Sequence, residues 1–125
     1  MELKELTSEK ASPALGPYCH GRRHGDMIIT SGQIPLTSDG KLVFEIKEAT
    51  KLVLSNLVSI VEAGGGSKES VARVNVYLKD LNDFDAFNEA YAEFFGSHKP
   101  TRVCFQAAKI ACDVPLEADM IAFAN

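Results

Sequence analysis

Arg102 and Cys104 share one side of an alternating stretch, Pro100-Thr101-Arg102-Val103-Cys104-Phe105, and Glu117 opens a second alternating stretch a short loop later. Side chains of a strand point alternately to opposite faces, so Arg102, Cys104 and Gln106 fall on one face and Thr101, Val103 and Phe105 on the other. An arginine inside a packed domain requires an anionic partner, because a stranded buried charge costs several kcal/mol. If the strands flanking the loop Lys109-Ile110-Ala111-Cys112-Asp113-Val114-Pro115 pair as a simple hairpin, Arg102 and Glu117 lie nearly opposite each other. One reading is a structural ion pair. The chemical alternative is an arginine fork that grips a ligand carboxylate through two hydrogen bonds, with Glu117 handling a water or a proton beside it.

Other residues carry weaker signals. Cys104 reads as a small buried hydrophobe, since a reactive thiolate needs a histidine or a helix N-terminus that the pattern does not supply. Asn88 lies inside a helical stretch where asparagine is mildly unfavourable, and is either a solvated surface residue or a hydrogen-bonder at an interface. Tyr18 follows Gly16-Pro17 at the expected start of a strand, where a core tyrosine with a satisfied hydroxyl is the plain reading. Ser31-Gly32 follows a strand, but nothing local activates the hydroxyl as a nucleophile. His20, His24 and His98 are scattered without metal-ligand spacing. Gly64-Gly65-Gly66 lacks the following Lys-Ser/Thr of a phosphate loop and reads as a helix stop.

The elements that must position these residues follow from periodicity. Residues 2–6 alternate as a short strand, and Tyr18–Gly32 reads as two strands about a tight turn near His24-Gly25-Asp26. Lys41–Phe44 is a candidate short strand. Ile46, Ala49, Val53, Leu57, Ile60 and Val61 recur at helical spacing, which predicts a helix over 46–63. Val71–Leu78 alternates again. A second helix, capped by Asn82 or Asp83, carries the stripe Phe84, Phe87, Tyr91, Phe94, Phe95, and Gly96 ends it. Thr101–Ala107 and Leu116–Ala124 close the chain as strands. The order β-β-β-α-β-α-β-β predicts one α+β domain over 1–125, with two helices on one face of a mixed six-stranded sheet. The uncovered face carries Tyr77, Ile121 and Phe123, and a partly apolar exposed face predicts a homo-oligomer that buries it.

The 125 residues, 46% hydrophobic and 24% charged, suffice for one core without staples. A net charge of −4 and a pI near 5.3 argue against a general nucleic-acid binder. Three cysteines without C-x-x-C spacing read as free thiols in a reducing compartment. The polar start, MELKELTSEK, has the marks of neither a secretory signal nor an Arg-rich transit peptide, and no run approaches a membrane span. The expected compartment is the cytoplasm, with the mitochondrial matrix also compatible.

Six stretches, taken together, resemble the RidA family of YjgF-like reactive intermediate deaminases, which also bear the older label L-PSP endoribonuclease. They are ASPALGPY (11–18), MIITSGQIP (27–35), SNLVSIVEAGG (55–65), VYLKDLNDF with NEAYAEFF (76–95), PTRVC (100–104) and LEADMIA (116–122). The resemblance spans nearly the whole chain. It implies a chorismate-mutase-like α+β fold, a homotrimer with clefts between subunits, and no cofactor or metal. The implied reaction is hydrolysis of 2-enamino and 2-imino acids, such as 2-aminoacrylate and 2-aminocrotonate, to 2-keto acids and ammonia. The family's site positions fall on Tyr18, Ser31, Asn88, Arg102, Cys104 and Glu117. Arg102 and Glu117 would act in catalysis, with Tyr18 and Ser31 shaping the pocket from a neighbouring subunit. The chain departs from the family pattern at Ala49, where glutamine is usual, at Val103, where serine is common, at Asp119, which replaces a frequent glutamate, and in the later proline of Val114-Pro115. A metabolite sensor built on the same arginine anchor and a ribonuclease or translation inhibitor stand as alternatives, the latter weakened by the low pI and the lack of a basic, aromatic platform.

Overall fold

The first long helix, α1 (Ile46–Ala63), begins where Glu45 is extended and its carboxylate accepts the Glu48 N–H at 2.8 Å. It stops in a Schellman turn. The Gly65 N–H donates to Glu62 O and the Gly66 N–H to Val61 O, both at 3.0 Å, and Gly65 takes the left-handed φ of 92° that a side chain would strain. The computed structural model that provides these details describes residues 2–125. Strands β1 (Lys4–Leu6), β2 (Gly21–His24), β3 (Met27–Thr30) and β4 (Val71–Leu78) are joined by helix α2 (Phe84–Phe95) to β5 (Thr101–Gln106) and β6 (Leu116–Phe123).

The six strands form one mixed sheet in the order β1-β2-β3-β6-β4-β5. Only β4 and β5 run parallel, as a strand–helix–strand crossover requires; the other neighbours are antiparallel. Val74, Val76 and Leu78 of β4 and Leu116, Ala118, Met120 and Ala122 of β6 are buried beneath Val53, Leu54, Leu57, Ile60 and Val61 of α1 and Phe87 of α2. The opposite face is bare: Met27, Ile29, Val103, Phe105 and Phe123 are all exposed. A smaller cluster of Ile34, Leu36, Ile110 and Val114 seats the loops at one end of the sheet. Among the described residues no helix is long and apolar enough to cross a membrane.

Three expectations are corrected. The β5–β6 hairpin does not form. The 107–115 connection passes β4, which pairs with β5 on one side and β6 on the other. Neighbouring strands are only ~4.8 Å apart, so a connection of this length reaches the second neighbour as readily as the first. Tyr18 does not open a strand; β2 begins at Gly21, and Tyr18 sits in the preceding loop. Lys41–Phe44 yields only an isolated bridge, Leu36 to Leu42.

Candidate functional site

Strand register puts Arg102 and Glu117 on opposite faces of the sheet. Directly paired residues share a face, and Arg102 pairs with Val74 and Cys104 with Val76, both buried on the helix side. Glu117 pairs with Tyr77, on the bare side. The two residues therefore cannot meet within one chain, and the Arg102–Glu117 ion pair is absent from it. Each sits in a pocket of its own.

The first pocket gathers Glu117, Tyr18, Ser31, Gly32, Ser12 and Leu15. Its walls are tied down by hydrogen bonds. The Ser31 hydroxyl donates to Cys19 O at 2.7 Å, and the Tyr18 hydroxyl accepts the Leu15 N–H at 3.0 Å. Ser12 donates both its N–H and its hydroxyl to Gln33 Oε1, at 3.2 and 2.8 Å. Behind this wall lies buried His20, whose Nδ1 accepts the Ser8 N–H at 3.0 Å and whose Nε2 meets Ser12 O at 2.8 Å. That pair of partners fixes the Nε2–H tautomer. The Glu117 carboxyl lies against Gly32, where a β-carbon would collide with its Oε2. Burial pushes the Glu117 pKa up, and the charge of Asp119 adds to the rise. A carboxyl so placed holds its proton more readily than an exposed one and is suited to exchange it with a ligand.

The second pocket holds Arg102, Asn88, Tyr91, Phe95, His98 and Lys99. Asn88 is one helical turn from Tyr91, so both project from α2 toward Arg102. The guanidinium lies over three rings, with Cζ 5.7, 5.3 and 4.8 Å from the centroids of Phe84, Phe87 and Tyr91. These faces attract a cation without neutralising it, and no carboxylate among the described residues pairs with Arg102. Its forked donors remain available to an anion. Cys104, on the same face, has its thiol pushed up by burial, partly offset by Arg102, so its sulfur is a poor nucleophile at neutral pH. Burial also holds the Tyr91 hydroxyl at about 12, and that hydroxyl has no partner among the described residues.

The family model described as Endoribonuclease L-PSP matches residues 8–124. This chain belongs to the RidA/YjgF family. The chain is 42% identical over 125 residues to a RutC family protein of Pyrococcus abyssi, covering 98% of each. It is 38% identical over 123 residues to the 2-iminobutanoate/2-iminopropanoate deaminase of Escherichia coli K12, covering 95% of this chain and 96% of the other. Among solved structures, E. coli TdcF with bound serine superposes with a TM-score of 0.93 at 38% identity, covering 98% of this chain and 99% of that one.

Within this RidA fold, the sequence-predicted residues divide into two sets. Tyr18, Ser31 and Glu117 come together in one pocket, Asn88 and Arg102 in the other, and Cys104 lies beside Arg102 on β5. Sequence reasoning missed Ser12, Leu15, Gly32 and Tyr91 as pocket walls, and His20 as the anchor behind one of them. Tyr91 was hidden within an aromatic stripe that otherwise faces the core. The adjacent Ser31-Gly32 pair offered a signal for Gly32, but the collision that requires glycine there comes from a strand remote in sequence.

Proposed function

We propose that the protein hydrolyses short 2-enamino and 2-imino acids, of the 2-aminoacrylate and 2-aminocrotonate type, to 2-keto acids and ammonia. The sites would lie between neighbouring subunits of a homotrimer. One observation carries this reading: Arg102, with no carboxylate partner among the described residues, and a partly buried Glu117 occupy separate pockets on opposite faces of one sheet. Only a second copy can bring such half-sites together, and the exposed apolar residues of the bare face supply a surface for it. The deaminase name of one relative and the serine bound to another, a short 2-amino acid, support the choice of substrate.

The chemistry asks little of the protein. The enamine tautomerises to an imine, water adds to C2, and the carbinolamine expels ammonia. Because the electrophile arrives activated, positioning and proton transfer carry the reaction. Arg102 grips the substrate carboxylate with two parallel N–H donors. Ionised Glu117 takes a proton from the attacking water, and the acid so formed returns it to the departing nitrogen. The backbone at Cys104 hydrogen-bonds the substrate nitrogen, Asn88 borders the carboxylate end, and Tyr18 and Ser31 close the pocket around Glu117.

The test couples a threonine dehydratase to the purified protein and follows the early release of 2-ketobutyrate. Acceleration that scales with added protein is expected. Binding of 2-ketobutyrate without acceleration would instead make the protein a metabolite binder. A monomeric mass by light scattering at micromolar concentration would overturn the shared site.

A further inference from the structure

Glu117 is not the only carboxylate on its face of the sheet. Asp119 follows two residues later on β6 and therefore points the same way, roughly 6.6 Å along the strand. Its two oxygens are held separately. Asn75 Nδ2 donates to Oδ1 at 2.8 Å, and the Tyr77 hydroxyl donates to Oδ2 at 3.0 Å. Behind Asn75, the Arg73 Nε–H donates to its Oδ1 at 3.1 Å, so the amide cannot turn over without losing both bonds. Tyr77 sits directly opposite Glu117 in the register, yet its hydroxyl serves Asp119 rather than Glu117.

The remaining charges nearby are few. On this face β3 contributes Met27 and Ile29, and β5 contributes Thr101, Val103 and Phe105, none of them charged. The titratable or charged groups on this face nearest Glu117 are Asp119 on its own strand, Tyr77 and Arg73 on β4 and Tyr18 in the loop; Arg22, two strands away on β2, is engaged by Glu5 at 3.6 Å. At the sheet end Lys79 is engaged by Asp113 at 3.1 Å. Arg73 reaches the carboxylates only through Asn75.

We propose that Asp119 is a positioning residue for the reaction. Its carboxylate, fixed by Asn75 and Tyr77, sets the pH at which Glu117 passes between proton acceptor and proton donor. The inference rests on the proposed catalytic role of Glu117. Two like charges on one strand face resist ionising together, and the fixed orientation of Asp119 keeps that influence constant. The Tyr77 hydroxyl is itself held protonated by burial and by its bond to Asp119, so it persists as a donor across the working range. The rise in the Glu117 pKa, with burial first and Asp119 second, agrees with this arrangement.

The test compares Asp119→Asn, which keeps the side-chain shape, with the unaltered protein in two measurements. The first is the pH profile of kcat/KM for the imine formed by a dehydratase. The second is the carbon-13 titration of the Glu117 carboxyl, assigned by its disappearance in Glu117→Gln. The acid limb and the titration are both expected to move down together by roughly half a pH unit. Tyr77→Phe, which frees one Asp119 oxygen, should broaden or displace the same limb while leaving the KM for substrate within about two-fold. Superimposable Glu117 titrations in the unaltered protein and Asp119→Asn would overturn the inference even where Glu117→Gln is inactive. Full activity of Glu117→Gln would overturn the proposed function instead, and the inference with it.

Discussion

Replacing Arg102 with alanine separates what this side chain does for the fold from what it does for a ligand. Among the described residues Arg102 makes no ion pair; it lies over the faces of Phe84, Phe87 and Tyr91 at 5.7, 5.3 and 4.8 Å. One cation shared by three rings at a partly exposed site contributes about 1–2 kcal/mol in all, so the midpoint of thermal unfolding should fall by only a few degrees. Two charge-assisted hydrogen bonds to a carboxylate, at about 1.5–3 kcal/mol each, weaken ligand binding by roughly 10²-fold or more when they are lost. Arg102→Lys retains a charge but not the fork and should fall between, about ten-fold weaker than the original. Calorimetric titration with 2-ketobutyrate, beside a thermal melt of each variant, reads both quantities. Unchanged 2-ketobutyrate affinity in Arg102→Ala would refute the anchor. So would an affinity loss no larger than the thermal destabilisation explains.

Three further outcomes follow from the same contacts. Gly32→Ala places a β-carbon against the Glu117 carboxyl, so kcat in the dehydratase-coupled assay should drop at least ten-fold, with circular dichroism unchanged. For Glu117 the sign follows from its raised pKa. Its contribution to stability is complete below the ordinary carboxyl pKa of 4.5 and is lost as pH rises through the folded value, so Glu117→Gln should be the more stable protein at pH 7 and show no advantage at pH 4. Denaturant titrations at both pH values check this, and equal stability at pH 7 would contradict it. His20→Leu leaves the Ser8 N–H and the Ser12 carbonyl unpaired and should cost about 2–4 kcal/mol in urea unfolding, while His20→Gln, which offers one acceptor and one donor, should recover most of it.

Much of the scaffold is written locally. Helical spacing from Ile46 to Val61 and the three glycines after Ala63 give α1 its observed bounds, because a Schellman turn needs only nearby residues. The alternation of Val71–Leu78 likewise names its own buried face. Strand order is a different kind of quantity. Whether β6 lies beside β5 or beyond β4 depends on which neighbour buries Val74, Val76 and Leu78 against Leu116, Ala118 and Met120, and no local pattern in 107–115 encodes that choice. The site residues were legible as types, Arg102 by its place in a strand and Glu117 by its alternation. Their division into two pockets was not, since it depends on the parity of pairing across β4. Tyr18 was misplaced for a related reason: the loop holding it is ordered by Leu15, and its neighbours by Ser12, Gln33 and His20, through tertiary bonds that mimic no strand pattern.

Arg102 and Glu117 lie on opposite faces of the sheet, so in the proposed trimer ownership of each site is collective. In a ring of three chains, a chain lacking Arg102 can still lend its Glu117 to a neighbour, and a chain lacking Glu117 can lend its Arg102. Two variants that are each inactive, Arg102→Ala and Glu117→Gln, should therefore regain function when unfolded and reassembled together. Random mixing in equal amounts leaves about one quarter of the sites with both residues intact. Under that arrangement a chain lacking one of the two residues silences a single site, whereas a chain lacking both silences two of the three.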